Sequence, residues 1–155
     1  MRMSELYVLG DKTEIGSYAF TEENIIHFAT RYDPQRFHVD KEAAKETLFG
    51  GLCASGWHTT AAWMRTFLAF WKSQSVALAQ RGLTAPNLGP SPGFQKLQWL
   101  RPIFPGDIVT YSVALLSSRP LASRPGWHLS TILCEGVNQN GDPVMRFESG
   151  VLEFE

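Results

Sequence analysis

From Gly56 to Gln80 the chain reads GWHTTAAWMRTFLAFWKSQSVALAQ, without a single aspartate or glutamate. Trp57, Ala61, Met64, Leu68 and Trp71 recur at helical spacing, and Phe67 and Phe70 add apolar bulk on other sides. A helix that is apolar most of the way round is normally buried. The segment therefore predicts a long central helix, with Trp57, Trp63 and Trp71 in the core. His58 and Arg65 interrupt its most apolar part, which argues against a membrane span.

The residues after it predict what covers that helix. Beyond the turn-rich LTAPNLGPSPG, the stretch FQKLQWLRPIFPGD reads as a strand ending in a turn, with Pro105 and Gly106 suited to the centre of type II. Val109, Tyr111, Val113 and Leu115 alternate with small or polar residues, as do Trp127, Leu129, Thr131 and Leu133. Asn140-Gly141 is a strong hairpin signal, and VMRFESGVLEFE closes the chain as a strand. One buried helix followed by antiparallel strands predicts an α+β layer in which a curved sheet wraps the helix. With 155 residues and no internal repeat, a single domain over residues 1–155 is expected.

The first third of the chain is an extended opening followed by helix signals. In FTEENIIHFATRY, Thr21 is suited to cap a helix, and Glu22 and Glu23 sit in its first turn, where the helix dipole favours them. Pro34 disfavours helical backbone at Asp33, so this helix should stop near Tyr32 and leave Asp33 in a loop. Asp40 is suited to cap a short helix over KEAAKETL, which runs into the glycines of FGGLCASG.

Net charge and cysteines narrow the partners. A formal charge of -1 with both signs interspersed leaves no basic face for nucleic acid or anionic membrane. Cys53 and Cys134 are far apart inside apolar runs, where a free thiol behaves as a small hydrophobe, which suits a reducing, cytoplasmic setting. The opening residues MRMSELYVLG hold no apolar stretch of signal-peptide length.

Two places hold residues suited to chemistry. Asp33 and His38 lie in RYDPQRFHVD, where a bend promoted by Pro34 would bring a carboxylate and an imidazole together to share general acid and general base roles. In FGGLCASGWHTTAAW, Ser55 and Gly56 lead into the long helix, whose first N–H groups lack intrahelical partners and suit a developing oxyanion. Each has an ordinary structural explanation, as a helix stop or a helix cap. Cys53 or Ser55 with His58 is a weaker candidate for nucleophile and base, since no G-x-S-x-G elbow is present. His27, His38, His58 and His128 show no ligand spacing and there is no C-x-x-C, so neither a metal site nor a cofactor is expected.

Together the Asp33 to His38 loop, the glycine-led helix and WLRPIFPGD on the following strand resemble the MaoC-like dehydratases, whose relatives include R-specific enoyl-CoA hydratases. The resemblance runs from about Phe20 to the C-terminus and implies a hot-dog fold. The family loop reads D-x-N-P-x-H, with a glycine eighteen positions after the histidine, and Asp33, His38 and Gly56 keep both spacings. Gln35 and Arg36 stand where the family has Asn and Pro, and the proline has moved to position 34. Phe37 before His38 and Ser55 where many relatives have histidine also point to a subgroup.

By that resemblance Asp33 and His38 would activate water for addition to the β-carbon of an enoyl thioester and protonate its α-carbon. The Gly56 N–H would hold the thioester oxygen, with Ser55 beside it. The resemblance also implies an acyl-CoA or acyl-carrier substrate and a homodimer or higher homo-oligomer. Two alternatives are a hot-dog acyl-CoA thioesterase, which needs a carboxylate on or near the acid-free central helix, and a non-catalytic acyl-thioester-binding or structural protein of the same fold.

Overall fold

The computed structural model describes residues 1–154. The element order is α1 (Met3–Leu6), β1 (Lys12–Ala19), α2 (Glu22–Tyr32), α3 (Arg36–Val39), α4 (Lys41–Ala44), α5 (Gly56–Gln80), β2 (Asn87–Leu88), β3 (Phe94–Trp99), β4 (Ile108–Pro120), β5 (Trp127–Val137) and β6 (Pro143–Phe154). The six strands form one antiparallel sheet in the order β1-β4-β5-β6-β2, with β3 also pairing to β6. The sheet curls over one side of α5, the expected α+β arrangement of a long helix held by a curved sheet.

Curvature is built in where β1 crosses the helix. Its register with β4 shifts between Glu14 and Gly16, and Gly16 takes φ 131, a backbone region that side-chain-bearing residues rarely adopt. A Cβ on Gly16 would meet the Thr66 methyl of α5 at 3.0 Å, so the glycine also allows strand and helix to approach. On β4, Val109, Tyr111, Val113 and Leu115 all point inward as their alternation predicts. The Tyr111 hydroxyl, in the core, donates a 2.8 Å hydrogen bond to the Thr59 carbonyl and ties sheet to helix. The Pro105-Gly106 turn forms as expected, with Gly106 at φ 95 and the Asp107 N–H bonded to the Phe104 carbonyl.

The buried face of α5 is not the predicted one. Thr59, Ala62, Trp63 and Phe67 are buried, whereas Trp57, Met64 and Leu68 are 46–59% exposed, and Trp71 is only half-buried. Both faces are apolar, and the sheet covers one of them. The choice goes to the face that packs aromatic rings: Trp63 stacks on Phe67 at 5.1 Å and meets Phe147 of β6 edge-on. Burying such large rings stabilises the fold by about 2–3 kcal/mol each.

Strand β5 is inverted in the same sense. Ser130, Ile132 and Cys134 face the core, and Trp127, Leu129, Thr131 and Leu133 lie on the outer face, half-buried. The inward Ser130 is there because its hydroxyl bonds the buried Glu153 carboxylate on neighbouring β6. That carboxylate also accepts the Met3 N–H at 2.8 Å and pins α1, a one-turn helix where an extended opening was expected. The KEAAKETL helix is shorter than predicted, because after Ala44 the chain tightens into turns and the Thr47 hydroxyl takes the Ala44 carbonyl.

Candidate active site

The loop after α2 is held open by its own sequence. Thr21 caps the helix reciprocally with Asn24, and Pro34 then stops it, leaving Asp33 at φ -155 and ψ 68. The Asp33 N–H still closes the last helical turn on Ala29, so the backbone is anchored while the carboxylate projects away from the helix. The single turn of α3 then presents His38, and Asp40 accepts from the Glu42 and Ala43 N–H groups to start α4. Opposite, the chain entering α5 is clamped from both sides: the Cys53 N–H bonds Phe37 and the Ala54 N–H bonds Ile103.

These constraints bring Asp33 and His38 together. Oδ2 of Asp33 lies 3.3 Å from Nε2 of His38, and both side chains are largely buried, at 17% and 8% exposure. Nδ1 of His38 is 2.7 Å from the Cys53 carbonyl, which can only accept, so Nδ1 carries a proton. In the neutral ring, Nε2 is then the atom free to take or return one.

Asp33 is supported on both oxygens. Oδ1 accepts from Gln35 Nε2 and Oδ2 from the Ser55 hydroxyl, each at 2.7 Å. Partial burial pushes the Asp33 carboxyl up, but those two hydrogen bonds, joined by the His38 charge whenever that ring is protonated, outweigh it and hold the group below the ordinary aspartate range. It is a carboxylate poised to stay ionised.

Gly56 is the first residue of α5, and its N–H has no intrahelical acceptor. Asp33, His38, Gly56, Trp57, Trp99 and Arg101 all line one open cleft of about 450 Å³. Ser55 is fully buried, does not cap the helix, and reaches the cleft only through the Asp33 oxygen it bonds. The alternative nucleophile pairs do not assemble: the His58 Nε2 meets the Tyr18 hydroxyl at 3.2 Å, inside a cage of Tyr18, Phe20 and Phe28. Burial pushes the Cys53 thiol up to about 11, with the Asp33 charge adding to it, so at neutral pH it is not a thiolate.

Residues 8–124 match the family described as MaoC like domain. The chain belongs to that family. It is also similar to the uncharacterized protein YdeM of Bacillus subtilis (strain 168), at 25% identity over 152 residues and 98% of each chain. Among solved structures it is similar to the MaoC-like dehydratase from Rhodospirillum rubrum, with 34% identity, coverage of 97% of this chain and 95% of that one, and a TM-score of 0.79. The (R)-hydratase from A. caviae involved in PHA biosynthesis shares the fold at 21% identity, with 96% and 97% coverage and a TM-score of 0.65. The hot-dog architecture is thus common to this chain and its relatives.

Within this MaoC-like domain, several site residues escaped sequence reasoning. Gln35 registered only as a departure from the family loop, yet its amide holds Asp33, and its own N–H bonds the Asp33 carbonyl. The Cys53 carbonyl that orients His38 is a backbone atom, invisible to any residue pattern. Trp99 and Arg101 belonged to the quoted WLRPIFPGD but carried no role. No helix among the described residues is long and apolar enough to cross a membrane.

Proposed function

We propose that this protein is a hydratase or dehydratase that adds water to, or removes it from, an enoyl or 3-hydroxyacyl thioester, most naturally an acyl-CoA. The observation that carries the reading is the 3.3 Å approach of Asp33 Oδ2 to His38 Nε2 in a cleft that also holds the first N–H of α5. A water bound against both side chains, on the cleft side, is oriented by the ionised Asp33 and deprotonated by Nε2 of His38. Its oxygen bonds to the β-carbon as the carbon-carbon π pair shifts toward the thioester carbonyl. The Gly56 N–H, reinforced by the positive end of α5, stabilises the enolate-like oxygen.

The imidazolium formed at His38 faces the Asp33 carboxylate and keeps its Nδ1–H on Cys53. Returning the Nε2 proton to the α-carbon completes the addition and restores the starting state. A carboxyl held below its ordinary range is a poor acid, which favours His38 as the proton carrier. Dehydration is the same path reversed. The reading includes a homodimer, because pairing or covering an open edge of the sheet is a common way to protect unpaired strand groups.

The test is hydration of a short trans-2-enoyl-CoA, followed by loss of the conjugated thioester absorbance. Asp33→Asn and His38→Ala should each lower turnover by about 10² to 10⁴ while leaving the melting curve cooperative. Full activity in both variants would refute the assignment. Release of thiol from a saturated acyl-CoA by the wild-type protein would favour a thioesterase instead.

A further inference from the structure

Strand β3 pairs with β6 in a broken register. Gln95 faces Glu148 and Gln98 faces Arg146, so β3 takes one residue more than its partner over the same span. Lys96, within that shift, has φ 57, which no other non-glycine residue described shares in sign. Its ammonium and the Gln95 amide both bond Glu148 at 3.0 Å, holding the irregularity in place. Side chains alternate along a strand, so the extra residue reverses the facing of everything after it. Without it Trp99 would point away from α5.

With it, the Trp99 indole lies flat against Gly56. A Cβ on Gly56 would come within 2.2 to 2.6 Å of three ring atoms. The indole N–H donates to the Thr60 hydroxyl at 3.2 Å, and Trp57 packs edge-on at 5.0 Å. The ring is fixed on three sides, over the first turn of α5.

Along α5 that position lies between two hollows, and the indole itself lines the first. On one side is the 450 Å³ cleft with Asp33 and His38, whose α5 contribution ends at Thr59. On the other is an apolar groove of about 780 Å³, whose α5 contribution begins at Trp63 and includes Met64, Leu68 and Trp71, with Leu88 and Val151 across from them. Gly56, Thr60, Met64 and Leu68 lie on one stripe of the helix, four residues apart, spanning roughly 18 Å at 1.5 Å per residue. The indole spans Gly56, which lines the cleft, and Thr60, which lines neither hollow, and its outer side is 45% exposed.

We propose that Trp99, set by the β3 bulge, is a specificity-determining wall that limits the cleft to short acyl groups by closing the path along α5 into the apolar groove. This rests on the thioester reading of the cleft. A chain of a few carbons attached to a thioester held at Gly56 fits before the indole. A longer one would have to displace a ring that is hydrogen-bonded to Thr60 and packed against Gly56 and Trp57.

Wild type, Trp99→Phe and Trp99→Ala are to be compared on four-, eight- and twelve-carbon trans-2-enoyl-CoA, and by thermal shift with the matching saturated acyl-CoA thioesters. The expected result is that Trp99→Ala raises the twelve-to-four-carbon ratio of kcat/KM by roughly ten-fold or more, while Trp99→Phe stays near wild type. In binding, the twelve-carbon thioester should protect Trp99→Ala but not wild type. If no enoyl-CoA turns over but the binding preference changes this way, the wall stands and the hydratase reading falls. An unchanged chain-length profile in rate and binding, or equal protection of wild type by all lengths, overturns the wall. Should Trp99→Ala melt without cooperativity, Trp99→Leu, which keeps apolar bulk but removes the ring, is judged by the same ratio.

Discussion

The Ser55 hydroxyl donates a 2.7 Å hydrogen bond to Oδ2 of Asp33, the same oxygen that lies 3.3 Å from Nε2 of His38. A fully buried serine thus acts on the cleft through another side chain. The bond favours the charged carboxylate, so removing it raises the Asp33 pKa. In Ser55→Ala the rate at neutral pH should fall about ten-fold from misplacement of the carboxylate, with the melting curve still cooperative. An unchanged kcat/KM would reduce Ser55 to packing.

His58 should make the fold acid-sensitive. Burial pushes it down to about 4 from an ordinary 6.5, its Nδ1 has no partner among the described residues, and its neighbours are the rings of Tyr18, Phe20 and Phe28. Between those two values the unfolded chain binds a proton that the folded chain refuses. The contribution is intact above pH 6.5 and is lost as the pH falls toward 4, at most about 3 kcal/mol. Urea melts at pH 7 and pH 4.5 should show the loss, and His58→Phe should flatten that part of the profile.

Gly56→Ala places a methyl inside the Trp99 ring. Forcing extra volume into a packed site typically costs about 1–3 kcal/mol, so the melting temperature should fall. In a Trp99→Ala background the same substitution should cost much less. Additive losses across this double-mutant cycle would contradict the contact.

Glu153→Ala should release α1. The substitution leaves the Met3 N–H and the Ser130 hydroxyl without their acceptor in a buried site, at a cost of about 1–3 kcal/mol for each donor left unsatisfied. Hydrogen exchange should accelerate first in residues 3–7, before the amides of β4 and β5. Uniform acceleration across the sheet would place the damage elsewhere.

The sequence carried the site further than it carried the packing. Local signals such as Pro34 and the start of α5 allowed only a helix stop and a helix cap at Asp33, His38 and Gly56; the spacing shared with the MaoC-like family is what singled out those three, and the fold brings them to one cleft. Gln35 and the Cys53 carbonyl were not legible, since their roles depend on how the loop closes over the start of α5. The inverted faces have a different cause. With Trp57, Met64 and Leu68 on one side of α5 and Trp63 and Phe67 on the other, periodicity marks an apolar helix but not which half the sheet will claim. On β5 the alternation was read correctly, and its sense was reversed by a single buried carboxylate on β6 that no pattern within β5 announces.

The bond from the Met3 N–H to Glu153 joins residues 150 positions apart. Met3 is also buried in the core and Arg2 meets His128 at 3.2 Å, so the surface that receives α1 exists only once β5 and β6 are paired. Docking of the opening helix is then a late event in folding, and its release is an early event in unfolding. A partly opened state should therefore exist in which β4, β5 and β6 remain paired while residues 3–7 exchange and are cut by protease.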